Sequence, residues 1–168
     1  RGKTIVALCS SLFPCTVRYM FAYFILVHRY AKQFQRLFTA IYDPNNWYVI
    51  HIDKRSHPSV RLEIEKFLLG FDHVAIIVSK NALWGGYSLV DAQLRGMEKL
   101  LEMNADWEFF INLSGQDFPL KSQSYIKKFL QKNKGKNFLN IYNQREVRPK
   151  TISRFENYTI ELKQTIIR

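Results

Sequence analysis

Trp47-Tyr48-Val49-Ile50-His51-Ile52-Asp53-Lys54-Arg55-Ser56 is the stretch that decides the fold. Its first six residues are aromatic or β-branched apart from one histidine, with no alternation of apolar and polar positions. A strand with that pattern is covered on both faces, which is the situation of a parallel strand between two layers of helices. The run then turns abruptly polar. In an open parallel sheet, ligands sit beyond the carboxyl ends of the strands, so Asp53 to Ser56 stand where a binding site belongs.

Working outward, four more short apolar runs are expected to be strands: Met20 to Val27, Val74 to Val78, Glu108 to Leu113 and Asn137 to Ile141. Helical patterns separate them. Ala31 to Tyr42 carries Phe34, Leu37, Phe38 and Ile41 at helical spacing, and Asp43-Pro44-Asn45-Asn46 is a turn. Pro58 to Phe71 begins at a proline and runs out at Gly70. Ser88 to Met103 is a long helix with Val90, Leu94, Met97 and Leu101 on one face. Ser122 caps a further helix whose apolar residues are Tyr125, Ile126, Phe129 and Leu130, with Lys134-Gly135-Lys136 at its end. Strands alternating with helices predict an α/β chain, a mostly parallel sheet with helices on both faces. Past Tyr142 the pattern is irregular.

Composition narrows the function classes. Hydrophobic residues are 47% of the 168, which excludes a disordered chain. The formal net charge of +11 is unevenly placed: residues 121–168 hold 12 Lys and Arg against 3 Asp and Glu. A basic end of that kind serves an anionic partner or is a solvated face. Cys9 and Cys15 have no metal-binding spacing and fix no redox compartment. Thr4 to Val17 is apolar but too short to span a bilayer, and Arg18 interrupts it. Residues 1–18 read as a leader or anchor remnant, or as a packed surface strand.

Four strand ends gather polar, glycine and aromatic residues: Val27-His28-Arg29, then His51 to Arg55, then Trp84-Gly85-Gly86, then Ser114-Gly115-Gln116-Asp117-Phe118-Pro119. Asp53 has two readings, a carboxylate that accepts from a base or ribose, or a turn cap paired with Lys54 or Arg55. His28 and His51 end adjacent strands and serve either a ligand or the core. Trp84-Gly85-Gly86 is a stacking face beside a close backbone approach, or a tight turn with a core indole. No Asp-x-Asp exists, so Asp117 is not part of a metal motif, and no metal is expected. Dinucleotide-binding glycine fingerprints, phosphate loops, zinc-protease and nucleophile-elbow motifs are all absent. Asn157-Tyr158-Thr159 and Asn112-Leu113-Ser114 match the glycosylation sequon, the second on a strand expected to be buried.

Taken in order, these segments resemble one family. Phe34 to Phe38, Ala40-Ile41-Tyr42 and Tyr48 to Ser56 look like the first two strands of the peptide O-xylosyltransferases. Trp84-Gly85-Gly86 with Ser88-Leu89, then Leu100 to Met103 with Asp106-Trp107, continue the match. Phe109 to Ser114 is similar to both the xylosyltransferases and the branching β-1,6-N-acetylglucosaminyltransferases. Gly115 to Pro119 with Lys121-Ser122 is closer to the second group. The resemblance covers about 120 residues, Phe21 to Ile141.

The resemblance implies a glycosyltransferase-A-like, Rossmann-like fold, incomplete at its C-terminal end, that uses a UDP-sugar without a metal. It implies that Leu26 or Val27 meets uracil through the backbone and that Asp53 binds base or ribose. It also implies a donor site lined by the segment through Leu83, Trp84 and Gly85, with His28, Arg55 and Asp117 around it. The donor is UDP-xylose, moved to a serine of a proteoglycan core protein, or UDP-N-acetylglucosamine, moved to a glycan by a branching enzyme. Residues 19–142 are then the nucleotide-sugar-binding domain and 143–168 the start of an acceptor-side region. The family's base and diphosphate clamp lie further along, so no catalytic residue is named. The enzymes are expected in the Golgi or ER lumen on an upstream membrane anchor, with no nucleic-acid partner. A reading from another class also stands: a basic polyanion-binding module without catalysis.

Overall fold

The computed structural model describes residues 20–78, 86–138, 140–152, 156, 160–162 and 165–167. Four parallel strands form its centre: β1 (Phe21–Val27), β2 (Trp47–Ile52), β3 (Val74–Val78) and β4 (Phe109–Ser114), in the spatial order β3-β2-β1-β4. This is the expected α/β architecture, and the bounds of β2 and β3 agree with the sequence reading. β1 begins one residue later than expected. Its first N–H donates to the side chain of Asn46 at 3.0 Å, so the buried turn residue fixes where the strand starts.

Alternation along β1 supplies both layers. Phe21, Tyr23, Ile25 and Val27 face α1 (Ala31–Ile41), α2 (Pro58–Leu68) and α4 (Gln123–Lys132); Ala22 and Phe24 face α3 (Tyr87–Met103). Helix α1 buries Phe34, Leu37, Phe38 and Ile41, the four positions read from its periodicity. Helix α4 starts as expected, with the Ser122 hydroxyl accepting from the Tyr125 N–H at 3.3 Å. Its Leu130 is buried and Ile126 packs on the core, but Tyr125 and Phe129 stay about half-exposed.

Helix α3 forms as expected, but its apolar stripe is not the face that it buries. The face it buries is Ala92, Gly96 and Leu100, while Val90, Leu94 and Leu101 are exposed. Small residues win because the Phe24 ring occupies the space beneath the helix. A Cβ on Gly96 would lie 2.2 Å from Phe24 Cδ2, inside van der Waals contact. Gly96→Val is therefore expected to destabilise the fold by about 1–3 kcal/mol through overpacking. Urea denaturation followed by circular dichroism reads this, and an unchanged midpoint would show that Phe24 yields freely.

The C-terminal region differs from the sequence reading as well. The strand expected over Asn137–Ile141 does not form among its described residues. Phe138 instead turns back, 6.5 Å from the Phe109 ring and 5.4 Å from Phe129. The segment read as irregular holds a short helix α5 (Gln144–Val147), a 3-10 turn (Pro149–Thr151) and an antiparallel pair, β5 (Ile160–Leu162) with β6 (Thr165–Ile167). Residues 1–19, and with them the leader expected at 1–18, lie outside the described residues, as does Asn157.

Candidate functional site

The carboxyl ends of β1 and β2 lie side by side and open into a cleft of about 160 Å³, lined by Leu26, Val27, His28, His51, Asp53, Arg55 and Leu89. Each side chain is placed by the sheet. Leu26 stands between His51 on β2 and Ser114 on β4 in the strand register, so three strand ends meet in one row. The Asp53 N–H donates to the Val27 carbonyl at 2.8 Å, carrying the ladder one bond past the end of β2. Asp53 and His51 share a face, because residues two apart in an extended chain point the same way. Leu89, from the first turn of α3, closes the opposite wall. The sequence reading placed Leu89 on a helix and gave it no site role; its position just after the Trp-Gly-Gly break was the available signal.

Asp53 fulfils the second of its two readings while lining the cleft. Its carboxylate accepts from the Arg55 N–H at 2.8 Å and is bridged by the Arg55 guanidinium, Nη2 to Oδ2 at 3.0 Å. Burial opposes the charge on Asp53, but these bonds outweigh it and hold the carboxyl below its ordinary range. The Arg55 side chain remains about half-exposed toward the cleft.

His51 is nearly fully buried, and burial lowers its pKa; Asp53 and Asp91 pull against that effect and Arg95 adds to it. The imidazole is therefore neutral at physiological pH. His28, by contrast, is exposed at the rim.

Asp117 lies elsewhere. Its carboxylate accepts from the Ser114 N–H at 2.7 Å, and the Ser114 hydroxyl accepts from the Gln116 N–H at 3.3 Å. The loop after β4 is thus closed by its own side chains, and Asp117 is not among the residues that line the cleft. Gly115 permits the loop to pass Val27, where a Cβ would come 3.0 Å from Val27 Cγ2. Leu83, Trp84 and Gly85 lie outside the described residues. Asn112, expected to be buried in its sequon, is exposed on β4, an edge strand of the sheet. No group of three His, Cys, Asp or Glu among the described residues could hold a metal, and no described helix is long and apolar enough to cross a membrane.

A model of the Core-2/I-Branching enzyme family matches residues 21–167. The chain belongs to the Core-2/I-Branching enzyme family. This family comprises UDP-sugar glycosyltransferases. Similar proteins include xylosyltransferase 1 of Rattus norvegicus, 37% identical over 139 residues, which are 79% of this chain and 17% of that protein. Xylosyltransferase 2 of Homo sapiens is 40% identical over 121 residues, 70% of this chain and 14% of the relative. Xylosyltransferase 2 of Pan troglodytes matches over the same shares. The chain therefore spans 14–17% of the length of these relatives. In open parallel sheets ligands sit beyond the carboxyl ends of the strands, and the cleft at the ends of β1 and β2 lies there.

Proposed function

We propose that this chain is the donor-nucleotide-binding part of a UDP-sugar glycosyltransferase, by preference a peptide O-xylosyltransferase that moves xylose from UDP-xylose to a serine of a proteoglycan core protein. The observation that carries the reading is the cleft in which Leu26, Val27, His28, Asp53 and Arg55 converge. The relatives named xylosyltransferase support it. In this reading residues 19–142 form the donor domain and 143–168 lead toward the acceptor side. The main chain at Leu26 and Val27 meets the base, and Asp53 accepts from base or ribose. Leu83, Trp84 and Gly85 complete the donor surroundings, and Asp117 holds the loop after β4 rather than the donor. No metal is used and no catalytic base is assigned. The protein works in the Golgi or ER lumen, held by an anchor upstream.

The branching reading, with UDP-N-acetylglucosamine as donor and a glycan as acceptor, is favoured by the family match and by the Gly115 to Pro119 loop. Titration with both UDP-sugars separates the two, and tighter binding of UDP-N-acetylglucosamine would reverse the preference. The polyanion-module reading has less support, because Lys127 and Lys134 of the basic region are paired with Asp43 and Glu108.

Asp53 gives the direct test. Asp53→Ala is expected to weaken UDP binding by about 1–3 kcal/mol, the cost of leaving a buried partner unpaired. Calorimetric titration with UDP reads it, and unchanged affinity in a folded variant would make Asp53 a turn residue only.

A further inference from the structure

Strand β4 ends the sheet: β1 pairs with one side of it, and no described strand lies on the other. It carries neither a charge nor a proline, two common means by which an open edge is kept from pairing. A groove of about 420 Å³ runs along it. Four consecutive residues, Phe109 to Asn112, line that groove. Successive side chains point to opposite faces, so the surface common to all four is the main-chain edge itself. The far wall is α4, through Tyr125 and Phe129, both about half-exposed. The same two rings border an adjoining hollow with Lys128 and Lys132.

Charge on this side has one sign. Residues 118–143 hold six lysines and no acidic residue. Lys127 is taken up by Asp43 and Lys134 by Glu108. Lys121 lies in the groove, over the Tyr125 ring at 5.6 Å. Lys128 and Lys132 are exposed and have no acidic partner among the described residues.

We propose that the β4 edge and the lysine-bearing face of α4 form one docking groove for an extended, acidic stretch of polypeptide, which adds to the sheet as a strand. The N–H and C=O groups of β4 supply the ladder, the rings of α4 receive apolar side chains, and Lys121, Lys128 and Lys132 select carboxylates. A second copy of this chain is a poor occupant, since pairing edge to edge would bring two lysine fields together. A nucleic acid or a membrane would use the lysines but leave the main chain of the edge unpaired, a loss that a polypeptide avoids. The inference goes beyond the donor-site reading and does not rest on it, because none of these residues lines the cleft at the ends of β1 and β2.

The probe is a fluorescently labelled, end-capped eight-residue peptide in which pairs of glutamates alternate with pairs of valines, so that both faces of its extended form carry both side-chain types. Anisotropy should report binding to the wild-type chain that weakens as salt is raised. The double variant Lys128→Gln, Lys132→Gln should bind about fivefold more weakly, the scale of two exposed ion pairs, while folding normally and keeping the wild-type affinity for UDP. N-methylation of every valine, which removes ladder donors along both edges of the peptide, should abolish binding. Retained binding of the N-methylated peptide, equal binding of a peptide with lysine in place of glutamate, or preference for a short oligo-dT strand would reduce the feature to a charged surface and overturn the proposal. So would failure of the glutamate peptide to bind, or a doubled mass of the chain alone in light scattering. The donor cleft is tested separately by UDP titration, and its failure would leave this groove untouched.

Discussion

Phe38→Ala is expected to cost about 3–5 kcal/mol, the range for emptying a large aromatic site in a core. The size follows from what the ring touches. Phe38 is fully buried on α1, with the Tyr48 and Phe71 rings each at 5.0 Å, and Tyr42, Phe34 and Phe67 between 5.7 and 5.9 Å. It joins β2 to α1 and to the end of α2, so no single element can collapse into the space left behind. Against a usual stability of about 5–15 kcal/mol this is a large fraction. It corresponds to a fall in melting temperature of roughly 6–20 °C for a domain of this size. Phe38→Leu, which keeps most of the volume, should cost much less. A loss below about 1 kcal/mol for the alanine variant would mean that the cluster repacks around the void.

Alkaline pH should have a comparable effect. Tyr23 and Tyr48 stack in the core with ring centres 5.2 Å apart and planes 8° from parallel. Burial raises both phenol pKa values well above the ordinary range, with the nearby Asp43 carboxylate adding to the rise. A group whose folded pKa lies above its unfolded value contributes stability fully below the unfolded value, near 10 for tyrosine, and loses it as pH climbs. Above pH 10 the unfolded state releases two protons that the native state keeps. Stability should fall by about 1.4 kcal/mol per pH unit for each tyrosine. Urea midpoints measured at pH 9, 10 and 11 read the slope. Tyr23→Phe keeps the stack and removes one phenol, so it should roughly halve that slope. Tyr48→Phe is the poorer control, since its hydroxyl accepts from the Asp43 N–H at 2.8 Å and donates to the Ile41 carbonyl at 3.0 Å. A slope indifferent to Tyr23→Phe would sink the account.

The central strands and their helices were legible in the sequence because each stands on a short-range signal. Unbroken apolar runs marked β1 to β4, periodicity marked α1, and Ser122 marked the start of α4. The buried face of α3 was not legible. Val90, Leu94, Met97 and Leu101 form the more hydrophobic stripe, yet Gly96 faces the sheet because Phe24, 72 positions earlier, fills that space. Size complementarity between distant residues leaves no local trace. Asn137–Ile141 failed for a related reason: an apolar run becomes a strand only beside a partner, and Phe138 found the Phe109 and Phe129 rings instead. Within the site, Asp53 and Arg55 could be chosen from their place at a strand end, and their pairing was one of the two readings of Asp53, but nothing local decided for it. Two residues apart on a turn, the pair reads equally well as a ligand clamp. Asp117 was selected by residue type, and the structure shows its carboxylate committed to the loop that carries it.

The arrangement of β1 bears on how such a site can change over time. Like β2 it is paired on both sides, by β2 and β4, and nearly all its side chains are buried. At Leu26 and Val27 it offers the cleft a main chain whose position depends on packing on both faces. Substitutions there would alter folding before they altered recognition. Variation at the cleft is thereby channelled into the exposed residues of the loops after β2 and β4, such as Lys54 and Phe118, whose side chains pack in neither layer. A single scaffold strand held constant while its neighbouring loops diverge would let related transferases adopt different sugars without redesigning the sheet.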